Sequence, residues 1–135
     1  MPIFESTEKM YEILGYLFQK LADDPEVGPR ANDENINIVF YINNPDGDLW
    51  LLHGDPKPTV CTGACDAAPD IEMWISGDDC HAFWLQKATL PVLLAKRKVK
   101  AKGPMAKVLG LLPLLQPAYD AYPAICEKYG LPTDV

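Results

Sequence analysis

Cysteine and histidine are the residue types in this chain that suit a metal or thiol site, and the sequence holds four cysteines and two histidines. Cys61 and Cys65 are separated by Thr-Gly-Ala, a spacing that matches neither a CxxC redox pair nor a typical zinc knuckle. Cys80 and His81 would complete a set of four ligands, but they fall on a different predicted element. We predict reduced, structural thiols here and at Cys126, with no metal and no cofactor. A metal or redox site on Cys61, Cys65 and Cys80 is the alternative.

The two histidines are poorly placed for acid or base catalysis. His53 lies near the end of a predicted strand beside Asp55, and His81 directly follows Cys80. Adjacent residues of a helix point about 100° apart, so Cys80 and His81 cannot act as nucleophile and base on one helix face. The sequence contains no GxSxG, no HExxH and no phosphate-binding glycine loop. We therefore predict no catalytic residues and a protein that is not an enzyme.

Length and composition are those of one globular domain. The chain has 135 residues, of which 48% are hydrophobic, and we predict a single domain over 1–135. Within it, 7–112 would form the core and 113–135 a helical extension. No apolar run approaches the roughly 20 residues that cross a bilayer. The N-terminal segment carries acidic residues and no basic flank, so it does not resemble a secretory signal, and we expect a cytoplasmic protein.

Charge is unevenly distributed along the chain. The net charge is −7; residues 1–80 carry 16 acids and 4 bases, whereas residues 81–135 carry 3 acids and 8 bases. The acidic balance argues against nucleic acid as a partner. Six of the twelve basic residues lie between Lys96 and Lys107. We expect this segment to be either a solvated strand face or a weak, salt-dependent contact with an anionic membrane surface.

The first element is an amphipathic helix over residues 7–23, capped by Ser6 or Thr7. Its apolar residues recur at three- and four-residue spacing and form one stripe. Asp24 and Pro25 end it, and Gly28-Pro29 predicts that the break continues.

Alternating apolar and polar residues predict strands at 36–43, 48–54, 59–64, 71–76 and 99–103. The turn residues Asn44-Pro45-Asp46-Gly47 join the first two as a hairpin. A middle rich in strands with helices at both ends favours an α+β fold. We predict a curved sheet of about five strands with helices packed on one face.

The second half of the chain carries further helix signals. Ser76 and Asp79 have the spacing of a capping box, which predicts a helix after the fourth strand. Residues 88–95 are interpreted as an apolar connection, and Pro104 begins a helix that continues to Leu112. Three later prolines predict that the remainder is broken into short helical pieces: Pro113, Pro117 and Pro123.

The segment 70–112 resembles the sterol carrier protein type 2 family. In both, an acidic residue opens a strand, a capped helix with an acidic first turn follows, and a Lys-apolar-Lys strand ending in Gly precedes an apolar helix. The residues that carry this resemblance are Asp70, Ser76, Asp78, Asp79, Phe83, Lys98, Val99, Lys100, Gly103 and 105–112.

The resemblance implies a soluble lipid-binding or lipid-transfer protein that holds a hydrophobic ligand in an apolar tunnel and performs no chemistry. The ligand would be a sterol, a fatty acid or an acyl-thioester. The residues predicted to line the tunnel are Trp50, Trp74, Phe83, Trp84, Met105, Leu109 and Leu112. The residues predicted to contact a membrane are Lys96, Lys98, Lys100 and Lys102.

A second hypothesis remains, because apolar residues at helical spacing usually fill a core. The chain would then be a structural or interaction module with the same fold and a filled core, dimerising through its C-terminal helices.

Overall fold

The computed structural model describes residues 3–54 and 57–134, and these form five strands and six α-helices. The strands are β1 (Ile38–Asn43), β2 (Gly47–Leu52), β3 (Thr59–Thr62), β4 (Ile71–Ser76) and β5 (Val99–Lys102). The helices are α1 (Thr7–Asp23), α2 (Val27–Asp33), α3 (Gly77–Trp84), α4 (Leu90–Ala95), α5 (Met105–Leu111) and α6 (Gln116–Tyr129). A short 3₁₀ helix, Leu112–Leu115, joins α5 to α6.

The five strands form one mixed sheet in the order β3-β2-β1-β4-β5. Neighbouring strands are antiparallel except for the central pair, β1 and β4, which is parallel. Each of the five predicted strands is present, with boundaries that differ by a few residues at most. The predicted α+β fold with a sheet of about five strands is confirmed.

One face of the sheet is apolar, and the helices pack on it. Because side chains alternate along a strand and paired residues share a face, Phe40 lies on the same face as its partners Leu49 and Met73. Ile38 and Ile75 belong to this face as well. We call it the inner face. The opposite, outer face includes Val39 and Trp50, which are buried, and the exposed Lys100 and Lys102.

Helix α1 begins and ends where the sequence predicts. Ser6 is the cap residue, and its Oγ accepts a hydrogen bond from the backbone N–H of Lys9 at 3.1 Å. The apolar stripe of α1 is buried along its whole length, from Met10 to Leu21. It forms part of one hydrophobic core with the inner face of the sheet.

Two short helices lie where the sequence indicated a break and a connection. Helix α2 forms across Gly28 and Pro29, because the Oδ1 atom of Asp24 accepts the backbone N–H groups of Glu26 and Val27, both at 2.9 Å. Proline is tolerated there because the first turn of a helix has no internal partner for its N–H groups.

Helix α4 likewise replaces the predicted apolar connection. Thr89 caps it by accepting a hydrogen bond from the N–H of Val92, Pro91 lies in its first turn, and Leu90 and Leu93 are buried. Six residues are too few to display a helical period, so this helix was not evident from the sequence.

The prediction that prolines divide the whole C-terminal segment is wrong for α6. This helix has 14 residues and continues through Pro123. Its buried side consists of Ala118, Tyr122, Ile125 and Cys126, and it packs against α1 and α3. Pro123 is exposed on the other side, so the core contacts offset the hydrogen bond that the proline removes. The helix ends at Gly130, which has a φ of 72°.

Candidate functional site

An apolar cavity lies between the inner face of the sheet and the helices. Its volume, counted as the space that the centre of a water-sized sphere can reach, is about 110 Å³. One water molecule needs roughly 10–15 Å³ on this measure, so the cavity is several times larger than an ordinary packing defect.

The wall of the cavity comes from most elements of the fold. The helical side is made of Phe18, Leu21, Ala22, Val27, Cys80, Phe83, Trp84, Leu90, Leu93, Leu112 and Leu115. The remaining wall is made of Ile38, Phe40, Leu51, Pro58, Met73, Ile75 and Val99. Among the described residues, no charged side chain lines the cavity. It can therefore hold hydrocarbon, and it offers no partner to a buried charge.

Cys80 and Trp84 bring the only side-chain N–H and S–H groups to the described part of the wall. Burial raises the pKa of the Cys80 thiol to about 12, although the nearby Trp84 indole favours the thiolate. The thiol is therefore neutral at physiological pH. The Nε1 atom of Trp84 is buried, and it makes no hydrogen bond of normal geometry with any described residue.

The Trp84 ring is held by a cluster of aromatic side chains. Its centroid lies 5.8 Å from that of Phe18, 4.9 Å from that of Phe83 and 6.0 Å from that of Tyr119. The two phenylalanine rings meet it edge to face, the preferred aromatic geometry. Because these contacts come from three helices, they fix the orientation of the indole.

Three of the seven predicted tunnel residues line the cavity: Phe83, Trp84 and Leu112. Trp50 and Trp74 lie on the outer face, because they pair with Val39 and Tyr41, which alternate with the inner-face residues of β1. Trp50 is buried there, and its Nε1 donates to the carbonyl oxygen of Gly63 at 3.1 Å. Trp74 is 37% exposed, with its ring centroid 5.2 Å from that of Tyr41.

The remaining two predicted tunnel residues are on α5. Leu109 is 47% exposed and lies outside the cavity wall. The side chain of Met105 lies outside the described residues. The sequence reasoning also missed the wall residues of α1 and α4. The apolar stripe of α1 was visible, but a stripe that borders a cavity has the same spacing as one that borders a filled core.

Of the four predicted membrane-contact lysines, two lie in strand β5 and two lie between α4 and β5. Lys100 and Lys102 are exposed on the outer face of β5, opposite Trp74 and Glu72 of β4. Lys98 precedes the strand and lies 3.8 Å from the carboxylate of Asp79. The fourth, Lys96, follows the last residue of α4. The alternation predicted for the strand thus applies to Lys100 and Lys102.

The thiols and imidazoles of interest are separated in the structure. Cys61 and Cys65 are half-buried at the end of β3. Burial is the main reason that the pKa of the Cys61 thiol is raised, and the nearby Cys65 thiol is the second reason. Within residues 3–54 and 57–134, no three Cys, His, Asp or Glu side chains form a cluster that could hold a metal ion. His81 is fully buried in the core, where both of its ring nitrogens have hydrogen-bond partners.

Solved structures with the same arrangement of strands and helices include several sterol carrier proteins. Sterol carrier protein 2 from Yarrowia lipolytica matches with a TM-score of 0.61 and 20% sequence identity, over 78% of this chain and 89% of that one. The sterol carrier protein domain 2 of Helicoverpa armigera matches with a TM-score of 0.60 and 19% identity, over 81% and 89%. This chain has the sterol carrier protein 2 fold. The fold predicted from the resemblance of 70–112 is therefore confirmed.

Two further neighbours have other names. UbiJ-SCP2, a ubiquinone synthesis protein, matches with a TM-score of 0.59 and 16% identity over 81% of this chain and 94% of that one. A double mutant of the sec-alkyl sulfatase PisA1 matches with a TM-score of 0.62 and 16% identity, over 74% of this chain. The chain spans only 16% of that much longer protein, so this likeness concerns one of its parts.

Comparisons of the sequence found no matching family model and no matching curated protein. The likeness thus lies in the three-dimensional fold. Within the described part of the chain, no helix has both the length and the apolarity needed to cross a membrane.

Proposed function

We propose that this chain binds a lipid-like molecule in the apolar cavity and carries it without changing it chemically. The observation that supports this is a cavity lined by apolar side chains and free of charge, set between the sheet and the helices of a sterol carrier protein 2 fold. Transfer of apolar surface from water into such a cavity contributes about 25 cal/mol per Å² of favourable binding free energy, before the costs of association are subtracted.

The names of the neighbours fit a cargo that is mostly hydrocarbon. Several are named as sterol carriers and one for ubiquinone synthesis. At about 110 Å³ the cavity is small, so a larger cargo has to widen it. We place the entrance beside the 3₁₀ helix, where Leu112 and Leu115 are only half-buried and line the wall.

Displacement of a neutral fluorescent probe tests the proposal. N-phenyl-1-naphthylamine should bind the wild-type protein with increased fluorescence, and an apolar lipid should displace it. Leu112→Trp should weaken this binding at least tenfold, because the larger ring would fill the entrance. Leu109→Trp is the matched control, since Leu109 lies on α5 outside the wall, and its binding should equal that of the wild type.

Two results would contradict the proposal. The first is that the wild-type protein binds the probe only at high micromolar concentration. The second is that the two tryptophan variants bind the probe equally well. In either case the interaction module with a filled core becomes the better hypothesis. A dimer that forms through the C-terminal helices would then be sought by sedimentation.

A further inference from the structure

We propose that Cys61 and Cys65 form a reversible redox pair, whose two thiols become one intramolecular disulfide by exchange with a small-molecule disulfide such as oxidised glutathione. Neither residue belongs to the described wall of the cavity. This inference therefore does not depend on the proposed function. It gives the chain a modification site on the opposite side of the sheet.

Cys61 lies on the outer face of the sheet. It pairs with Trp50 where β3 meets β2, and paired residues share a face. Trp50 pairs in turn with Val39, which alternates along β1 with the inner-face residue Phe40. Both Trp50 and Val39 are buried, so another part of the chain covers the outer face at this position.

The connection from β3 to β4 provides that cover. Strand β3 is at the edge of the sheet and β4 lies beyond β2 and β1, so the connection crosses both of these strands. The Nε1 atom of Trp50 donates to the carbonyl oxygen of Gly63 at 3.1 Å, and the Nδ2 atom of Asn37 donates to that of Ala68 at 3.2 Å. These two hydrogen bonds hold the connection against the outer face, and Cys65 lies between them along the chain.

The turn after β3 returns the chain to the side chain of Cys61. Gly63 has a φ of 81°, a backbone conformation that glycine adopts readily and that suits a sharp turn. Beyond this glycine, the carbonyl oxygen of Ala64 lies 4.0 Å from the Sγ atom of Cys61. That carbonyl belongs to the peptide unit that leads into Cys65, so the Cys61 sulfur lies beside the backbone of the second cysteine.

The two thiols are also neighbours. Burial is the main reason that the pKa of Cys61 is raised, and a side-chain hydrogen bond with Cys65 is the second reason. Such a hydrogen bond requires the two sulfur atoms to approach each other, and so does a disulfide. Because both residues are only half-buried, a small reagent in the solvent can reach them.

The other two cysteines are not partners of this pair. Cys80 lies in α3 and lines the cavity on the inner side of the sheet, whereas Cys61 is on the outer face. Cys126 is fully buried in α6. The alternative of one site on Cys61, Cys65 and Cys80 is therefore reduced to Cys61 and Cys65.

The disulfide forms through two exchanges that conserve atoms and electrons. The thiolate of one cysteine attacks oxidised glutathione, forms a mixed disulfide and releases one glutathione thiolate. The second cysteine attacks the protein sulfur of this mixed disulfide and releases the other glutathione thiolate. The protein loses two electrons and two protons, and the oxidant gains them as two molecules of glutathione. The raised pKa of Cys61 makes it a poor first nucleophile, so Cys65 makes the first attack and Cys61 the second.

The mass of the intact protein distinguishes the possible products. After incubation with oxidised glutathione at pH 8, the wild-type protein should lose two hydrogen atoms and carry no glutathione, and dithiothreitol should restore the original mass. Cys61→Ser and Cys65→Ser should each gain one glutathione unit instead, because the thiol that resolves the mixed disulfide is missing. Cys126→Ala is the matched control, and it should still lose two hydrogen atoms.

The indole signal of Trp50 gives an independent readout. Its N–H donates to the carbonyl of Gly63, which lies between the two cysteines along the chain. In a ¹⁵N-labelled sample, oxidation should therefore shift the indole signal that is absent from Trp50→Phe. The signal of Trp84, on the other side of the sheet, should stay in place.

Three results would overturn the redox pair. A wild-type protein that keeps its mass, or that carries glutathione without losing two hydrogen atoms, would show that the two sulfur atoms do not meet. A loss of two hydrogen atoms in Cys61→Ser would show that the disulfide contains another cysteine. An unchanged Trp50 signal in the oxidised protein would likewise place the disulfide elsewhere.

Discussion

His81 on α3 is a buried polar residue with two hydrogen-bond partners. The Nε2 atom of His81 lies 2.7 Å from the carbonyl oxygen of Pro132, and its Nδ1 atom lies 2.7 Å from the hydroxyl of Tyr122. Since a carbonyl only accepts, Nε2 carries the proton and Nδ1 accepts from Tyr122. Both nitrogens of His81 are thus satisfied within the protein. This arrangement stabilises the fold.

This hydrogen bonding predicts a pH dependence of stability. Burial lowers the pKa of His81, against the opposing effects of the Pro132 carbonyl and the Asp78 charge. The unfolded chain then takes up a proton first, near the ordinary value of about 6.5. The contribution of neutral His81 to stability is present above that pH and is lost as the pH falls through the lower, folded-state pKa.

Thermal melting of wild type and His81→Gln between pH 8 and pH 5 measures this contribution. The melting temperature of the wild type should fall more steeply below about pH 6.5 than that of the variant. Tyr122→Phe should cost about 1–3 kcal/mol at pH 7, because it leaves a buried nitrogen without its donor. Parallel curves for wild type and His81→Gln would show that His81 does not contribute.

At the scale of single elements, β5 combines two different surfaces. Val99 faces the cavity, while Lys100 and Lys102 lie on the outer face opposite Trp74 and Glu72. The outer face thus presents cations beside an exposed aromatic ring, a combination found at membrane interfaces. We propose that the protein contacts an anionic bilayer through this face.

Loss of the two lysine charges should weaken vesicle binding. Each lysine near an anionic surface contributes about 1 kcal/mol, so Lys100→Gln with Lys102→Gln should reduce binding to phosphatidylserine vesicles roughly tenfold or more at low salt. Lys20→Gln with Lys87→Gln is the control with the same net charge, because both residues are exposed and lie outside β5. Equal losses in the two double variants would show that only net charge matters.

At the scale of the whole molecule, the sequence predicts the sheet better than the cavity. Strand alternation placed all five strands and divided their residues between two faces. It could not tell which face the helices would cover, and large aromatic side chains suggested the wrong one for Trp50 and Trp74. The site also depends on α4, whose six residues show no period, and on α1, whose stripe serves core and cavity alike. A cavity forms where packed elements leave space between them, and the spacing of apolar residues along one element does not predict such a space.

The burial of the four cysteines predicts which thiols a reagent in the solvent can reach. Cys61 and Cys65 are half-buried, whereas Cys80 is 4% exposed and Cys126 is 0% exposed. Titration of the native protein with Ellman's reagent should find two accessible thiols, with the other two reacting only after denaturation. Cys80→Ser identifies the cavity thiol. Rapid reaction of Cys80 in the native protein would mean that the cavity opens often to solvent.

The parallel pairing of β1 with β4 has a consequence for the order in which the molecule assembles. Strands β1, β2 and β3 pair with their neighbours in sequence. Strand β4 pairs with β1, so β2 and β3 lie between these two partners along the chain. Segments that are distant in sequence pair slowly, because the entropy of the intervening loop is lost before any stabilising contact forms. Phe40 of β1 and Met73 of β4 are paired across this late junction and both border the cavity. The cavity is therefore completed at the slow step of folding, and a fluctuation that separates the two central strands would open the cavity and expose the core together.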